Sequence, residues 1–130
     1  MPQMIIVPAY AAIFALLFVL LSARTIMARR SAKVALGTGN DKRLERAARV
    51  HSNFAEYVPF TLLLISFAEQ RGTNQLIINL ICAMFLFGRM LHAWGVSQEQ
   101  ENFRYRVAAM MLTFATIGIS AAAIIFSYVI

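Results

Sequence analysis

The sequence predicts an all-α fold, a four-helix bundle embedded in a membrane as one domain, and three observations predict it. Of the 130 residues, 60% are hydrophobic, above the roughly 45–50% of soluble domains. The excess is concentrated in four apolar runs, residues 1–23, 57–68, 72–88 and 107–130. The basic residues gather between the runs, eight of the twelve lying from Arg24 to Arg49. A bilayer core of about 30 Å takes about 20 helical residues. The first and last runs reach that length alone, whereas the second and third reach it only with their charged flanks. Spans are therefore expected at about residues 4–28, 43–69, 73–95 and 105–129 of a single transmembrane domain covering residues 1–130.

The first span carries no charge before Arg24. Pro8 falls near its start, where a missing amide donor costs least. It is expected to be a span and not a cleaved leader, because its leading end lacks positive charge and "LLSARTIMARR" offers no small-residue cleavage site. The loop "SAKVALGTGNDK", residues 31–42, carries the turn formers Gly37, Gly39, Asn40 and Asp41. It lacks the later glycine and lysine-serine pair of a phosphate loop. Asp41 is the expected N-cap of the second span, with Glu45 favouring the helix dipole in the first turn.

Inside the second span, Pro59 removes the amide bond to the carbonyl of Ala55 and bends the helix. The link "EQRGTN" is short enough to make the second and third spans antiparallel neighbours. Cys82 lies in the middle of the third span with no charged neighbour in sequence, and reads as a buried apolar thiol. His51 and His92 lack partners at metal-ligand spacing, so no metal is expected. The fourth span holds Thr113, Thr116, Gly118, Ser120 and three alanines from Ala121, residues that let helix backbones approach closely in lipid.

Charge sets the expected topology. Arg89, Arg104 and Arg106 flank the third link, while Arg71 stands alone in the second. Loops one and three are then cytoplasmic and both termini face outward. The net charge of +6 answers to this topology and to anionic lipid headgroups, not to nucleic acid.

A polar stripe precedes Pro59. At 100° per residue, Arg46, Arg49, Asn53 and Glu56 fall within an arc of about 80°, and Tyr57 widens it to about 100°. A charged side chain at mid-membrane costs about 2.5–3.5 kcal/mol, while each large apolar residue returns about 0.3–0.6. The stripe should therefore face protein or a water-filled cleft. Arg49 and Glu56 are two turns apart, and the stripe holds more cation than one carboxylate satisfies. Partners must come from another helix, another subunit or an anionic ligand. Arg89 and His92 share a face of the third span, and Arg89 is expected to be a structural partner of Glu56. Arg104 and Arg106 lie at the same membrane level. Together these groups suggest a binding site for a small polar molecule at the membrane boundary, since ionisable groups held inside membranes are functional candidates.

"ERAARVHSNFAEYVP" resembles the signature of the MAPEG family, the membrane-associated proteins of eicosanoid and glutathione metabolism, at Glu45, Arg46, Arg49, Asn53, Glu56 and Pro59. "GRMLHAWG" is similar to the family's third-helix pattern. "RYRVAAM" resembles the start of its fourth helix, with Ala109 in place of a glycine. The resemblance implies four-helix subunits assembled as a homotrimer, with glutathione as co-substrate bound between subunits near the cytoplasmic boundary. It implies glutathione contacts from Arg49, Asn53, Glu56 and Tyr57, and from Arg24 toward a carboxylate. Arg106 would stabilise the thiolate, with Arg104 as the alternative. His92 and Val96 stand where well-studied members place tyrosines, so His92 joins the expected substrate-binding set. Arg46, Pro59 and Arg89 would support the site.

The chemistry agrees with that implication. Clustered arginines suit the two carboxylates of glutathione, and Glu56 suits its ammonium group. Cations near a thiol lower its pKa from about 8.5 and raise the thiolate fraction. The implied function is a membrane-bound glutathione transferase or peroxidase acting on lipophilic electrophiles or lipid hydroperoxides. The alternative is a non-catalytic lipid-binding or adaptor protein of the same family. A transporter would need polar residues continuing through the bilayer, yet the second span is apolar beyond Tyr57. "GRMLHAWG" is similar to the bacterial branch, which implies an inner membrane.

Overall fold

Helix ends organise the molecule. In the computed structural model, which describes residues 3–129, the chain forms α1 (Ile6–Ala32), α2 (Lys42–Gln70), α3 (Gln75–Ser97) and α4 (Phe103–Val129), with no strand among the described residues. α1, α3 and α4 are each long and apolar enough to cross a membrane. α2 runs for 29 residues, but its first half carries the charged stripe and its charge-free stretch covers only residues 57–68. The expected all-α membrane bundle is the fold observed.

The caps of α2 and the start of α3 have local chemical causes, and the start of α1 does not. Asp41 accepts from the amide of Leu44 at 2.8 Å and opens α2. Asn74 accepts from Leu76 at 2.9 Å and opens α3. Gly72, at φ 85°, closes α2 by donating to the carbonyl of Glu69 at 3.0 Å, a backbone turn that favours glycine. α1 begins in apolar sequence with no capping side chain and no acidic residue in its first turn. Its cap comes from the far end of α2. The buried Glu69 carboxylate accepts the amides of Ile5 at 3.0 Å, Ile6 at 2.8 Å and Val7 at 3.0 Å. A helix leaves four amides without internal partners at its start; the fourth position here is Pro8, which has no amide hydrogen. All four are thus accounted for.

α2 and α3 each pack against all three other helices, while α1 and α4 do not pack on one another among the described residues. Phe14 of α1 packs on Phe54 of α2 and Phe85 of α3, with ring centroids 6.1 and 5.0 Å apart. Ile65 and Ile78 complete this core. α3 and α4 approach closely at Gly88, where an added Cβ would stand 3.0 Å from that of Leu112. The small and hydroxyl residues of α4 turn inward: Thr113, Thr116 and Ser120 are fully buried. Thr113 and Thr116 donate to the carbonyls of Ala109 at 3.1 Å and Leu112 at 2.8 Å. Large apolar side chains point outward instead, with Leu16 at 73%, Leu80 at 62% and Ile125 at 64% exposure. Such a surface is stable only against lipid or another apolar face. The chain is a multi-pass membrane protein.

Candidate functional site

The site lies at the end of the bundle where α1 ends and α2 begins. Arg24 terminates the uncharged run of α1, and its Nη1 donates to Ser97 Oγ of α3 at 2.7 Å. About one turn into α2, Arg46 fastens the α3–α4 loop. Its Nη1 donates to the carbonyl of Val96 at 2.9 Å and to Glu101 Oε2 at 3.1 Å, and its Nη2 to the carbonyl of Glu99 at 3.3 Å. Glu101 also faces α4, with Oε1 3.5 Å from Arg106 Nη1. Loop and three helix ends are thus tied through Arg24, Arg46 and Glu101.

These ties frame a groove of about 1290 Å³. That exceeds the roughly 300–1,000 Å³ of a small-molecule pocket, as expected of an open groove and not an enclosed cavity. Seven cations line it, Arg24, Arg29, Lys42, Arg43, Arg46, Arg49 and Arg106, against the three carboxylates Glu45, Glu99 and Glu101. The excess of four positive charges gives the groove an affinity for anions. Arg49 is exposed and makes no salt bridge or side-chain hydrogen bond among the described residues. Arg106 is partly exposed at 32%, and its contact with Glu101 leaves its remaining donors available.

The other expected site residues are placed differently. Asn53 is buried, and its Oδ1 accepts from Arg89 Nη1 at 2.7 Å. Arg89 is therefore not the partner of Glu56; Asn53 lies closer along the inward face of α2 and takes the guanidinium, leaving Arg89 Nε without an acceptor. Glu56 is exposed on the outer face of α2, outside the groove, and makes no salt bridge among the described residues. Tyr57 packs edge-on against Phe114 of α4 at 5.9 Å, with Arg89 5.9 Å from its ring centroid. His92 is buried on α3 and does not line the groove. Arg104 is exposed and also lies outside the groove, whereas Arg106 lines it. Pro59 instead lines a second, apolar groove of about 270 Å³ between α1 and α2, with Ala55 and Phe54. In one chain, then, Arg24, Arg46, Arg49 and Arg106 come together, and Asn53, Glu56, Tyr57 and His92 do not join them.

The sequence that builds these helices has known relatives. The profile of the MAPEG family matches residues 7–126. The chain belongs to the MAPEG family. Two relatives, each called inner membrane protein YecN, come from Escherichia coli strain K12 and from Escherichia coli O6:H1. Each is 31% identical over 108 residues, covering 83% of this chain and 81% of its own. The MAPEG resemblance carried by residues 45–59 thus extends over almost the whole chain.

Two residues central to this MAPEG chain escaped the sequence reading. Glu101 sits in "QEQENF", where loop carboxylates look solvated, yet its side chain is only 8% exposed. Glu69 closes α2 but serves α1, more than sixty positions away. A signal for Glu69 existed: "MPQMIIVPAY" contains no Ser, Thr, Asp or Asn to cap its helix, so the donors had to be met from elsewhere.

The Asn53–Arg89 pair carries its own expectation. Asn53→Ala removes the acceptor of a guanidinium that is 2% exposed and should destabilise the protein by about 1–3 kcal/mol. Adding Arg89→Met removes the stranded charge and should recover part of that loss. Thermal unfolding of both variants in detergent measures the difference.

Proposed function

We propose that this protein is a glutathione-dependent transferase or peroxidase of the inner membrane, assembled as a homotrimer with loops one and three cytoplasmic. The observation that carries the reading is the pairing, in one cationic groove, of Arg49, which has no acceptor of its own among the described residues, with Arg106. Glutathione brings two carboxylates to such a groove, and guanidinium groups bind carboxylates in two-point fashion. Arg49 meets a carboxylate, Arg46 holds the loop beside it, Arg24 supports that end, and Arg106 faces the thiol. The thiol proton leaves to solvent, because arginine stays protonated at ordinary pH and acts only by its charge. The thiolate attacks the electrophilic carbon of a lipophilic substrate, a sulfur–carbon bond forms, and the leaving group departs with its electron pair.

Glu56 supports the assembly. Phe14 packs on Phe54 and Phe18 stacks on His51, so Glu56 lies near the level of Phe14, midway along the uncharged run of α1. It is also about 20 Å along α2 from Glu69 at 1.5 Å per residue. A carboxylate exposed there would cost about 2.5–3.5 kcal/mol against hydrocarbon. A neighbouring subunit covering that face relieves the cost, and it brings Glu56 and Tyr57 into a site shared between subunits.

The second reading, a lipid-binding or adaptor protein, is favoured by the commitment of Asn53 to Arg89 and by the burial of His92. Conjugation separates the two. Purified protein in detergent with glutathione and an aryl halide should form the conjugate at a rate proportional to protein concentration. Lipid binding without any conjugation or peroxide reduction would favour the adaptor.

A further inference from the structure

Glu101 is the one carboxylate in the groove that touches the arginine proposed to face the thiol. It is held by Arg46 from α2 at 3.1 Å and stands 3.5 Å from Arg106 of α4. Its Oε1 is buried and receives no hydrogen bond, so this oxygen is offered to Arg106 by charge alone. Arg46 is also tied to the carbonyls of Val96 and Glu99, which fixes the carboxylate while leaving Arg106 on the looser contact. Arg106 remains 32% exposed toward the groove. Such a geometry holds an arginine in place without saturating it.

We propose that Glu101 is an internal counter-anion that positions Arg106 and competes with an incoming anionic group for it. It thereby sets how strongly the groove binds an anion and how far it favours a thiolate. The other charges around it are Arg46 from α2, Arg106 from α4, Glu99 from its own loop and Arg24 from α1 across the groove. Only Arg46 and Arg106 form ion pairs with it. The effect on a thiolate rests on the glutathione reading above; the effect on a simple anion does not.

The test uses the full chain in detergent with Glu101→Gln, which keeps shape and the acceptor for Arg46 but removes the charge. Inorganic sulfate, followed by its stabilisation of thermal unfolding, should bind the variant about two- to fivefold more tightly, the magnitude of a partly exposed ion pair. An unchanged or weaker sulfate affinity overturns the proposal. With glutathione, the pH midpoint of bound thiolate absorbance should fall by about one unit, since a nearby like charge is removed. An unchanged midpoint overturns it as well, and a merely structural role would not move it. If the wild type gives no thiolate signal, the glutathione reading fails while the sulfate comparison still decides the role of Glu101. Should Glu101→Gln not fold, Glu101→Asp draws the charge back by one methylene: tighter sulfate binding supports the proposal and unchanged binding overturns it.

Discussion

Glu69→Ala is expected to destabilise the protein by about 3–5 kcal/mol, the largest stability effect of any single substitution considered. The carboxylate accepts three amides at the start of α1, at 2.8–3.0 Å. Hydrogen bonds to a charged group contribute about 1.5–3 kcal/mol each, discounted here because Ile5 is 59% exposed and its amide can turn to water. Ile6 and Val7 are buried and have no such escape, since Pro8 fixes the backbone that follows them. The negative charge also suits the positive end of the helix dipole. Glu69→Gln should cost about 1–2 kcal/mol, because an amide keeps one acceptor oxygen and loses the other. Thermal unfolding in detergent should therefore rank the variants wild type, Gln, Ala. The same series should show protease cleavage near residue 5 increasing in that order, as the start of α1 detaches from α2.

Arg106→Ala should have the largest functional effect. The neutral side chain removes the only groove cation carried by α4. A thiol stabilised by an adjacent cation gains about one to three pH units of acidity, so its loss should cut the thiolate fraction at neutral pH about tenfold or more. Conjugation should fall by the same factor, with glutathione affinity changing less, because Arg49 still holds a carboxylate. Arg106→Lys should restore part of the rate, as a point charge replaces the guanidinium fork. Arg104→Ala should leave the rate near that of the wild type, since Arg104 lies outside the groove. Initial rates at saturating and limiting glutathione separate these effects. A larger loss with Arg104→Ala than with Arg106→Ala would reverse the assignment.

The fold was legible because membrane helices announce themselves by apolar length, and their ends by local chemistry. Asp41 and the turn at Gly72 are readable within a few residues of where they act. The stripe was legible as a face of α2, and Arg46 and Arg49 do line one groove. Its inner half was not, because a helical arc says which residues share a face and not which neighbour they meet. Asn53 turned out to answer Arg89, leaving Glu56 outside. Interactions between distant elements were invisible for the same reason: Glu69 with the start of α1, and Glu101 between Arg46 and Arg106. Carboxylates in a positively charged chain are the natural places to look for such links.

The central claim is that the arginine groove at the start of α2 takes the anionic groups of glutathione and holds its sulfur as thiolate. The most direct measurement is the ultraviolet difference spectrum of purified protein titrated with glutathione at neutral pH, repeated with Arg49→Ala. A saturable thiolate absorbance in the wild type, weakened about tenfold or more in apparent affinity by Arg49→Ala, is the predicted result. A spectrum equal to the sum of free protein and free glutathione at every concentration would contradict the claim.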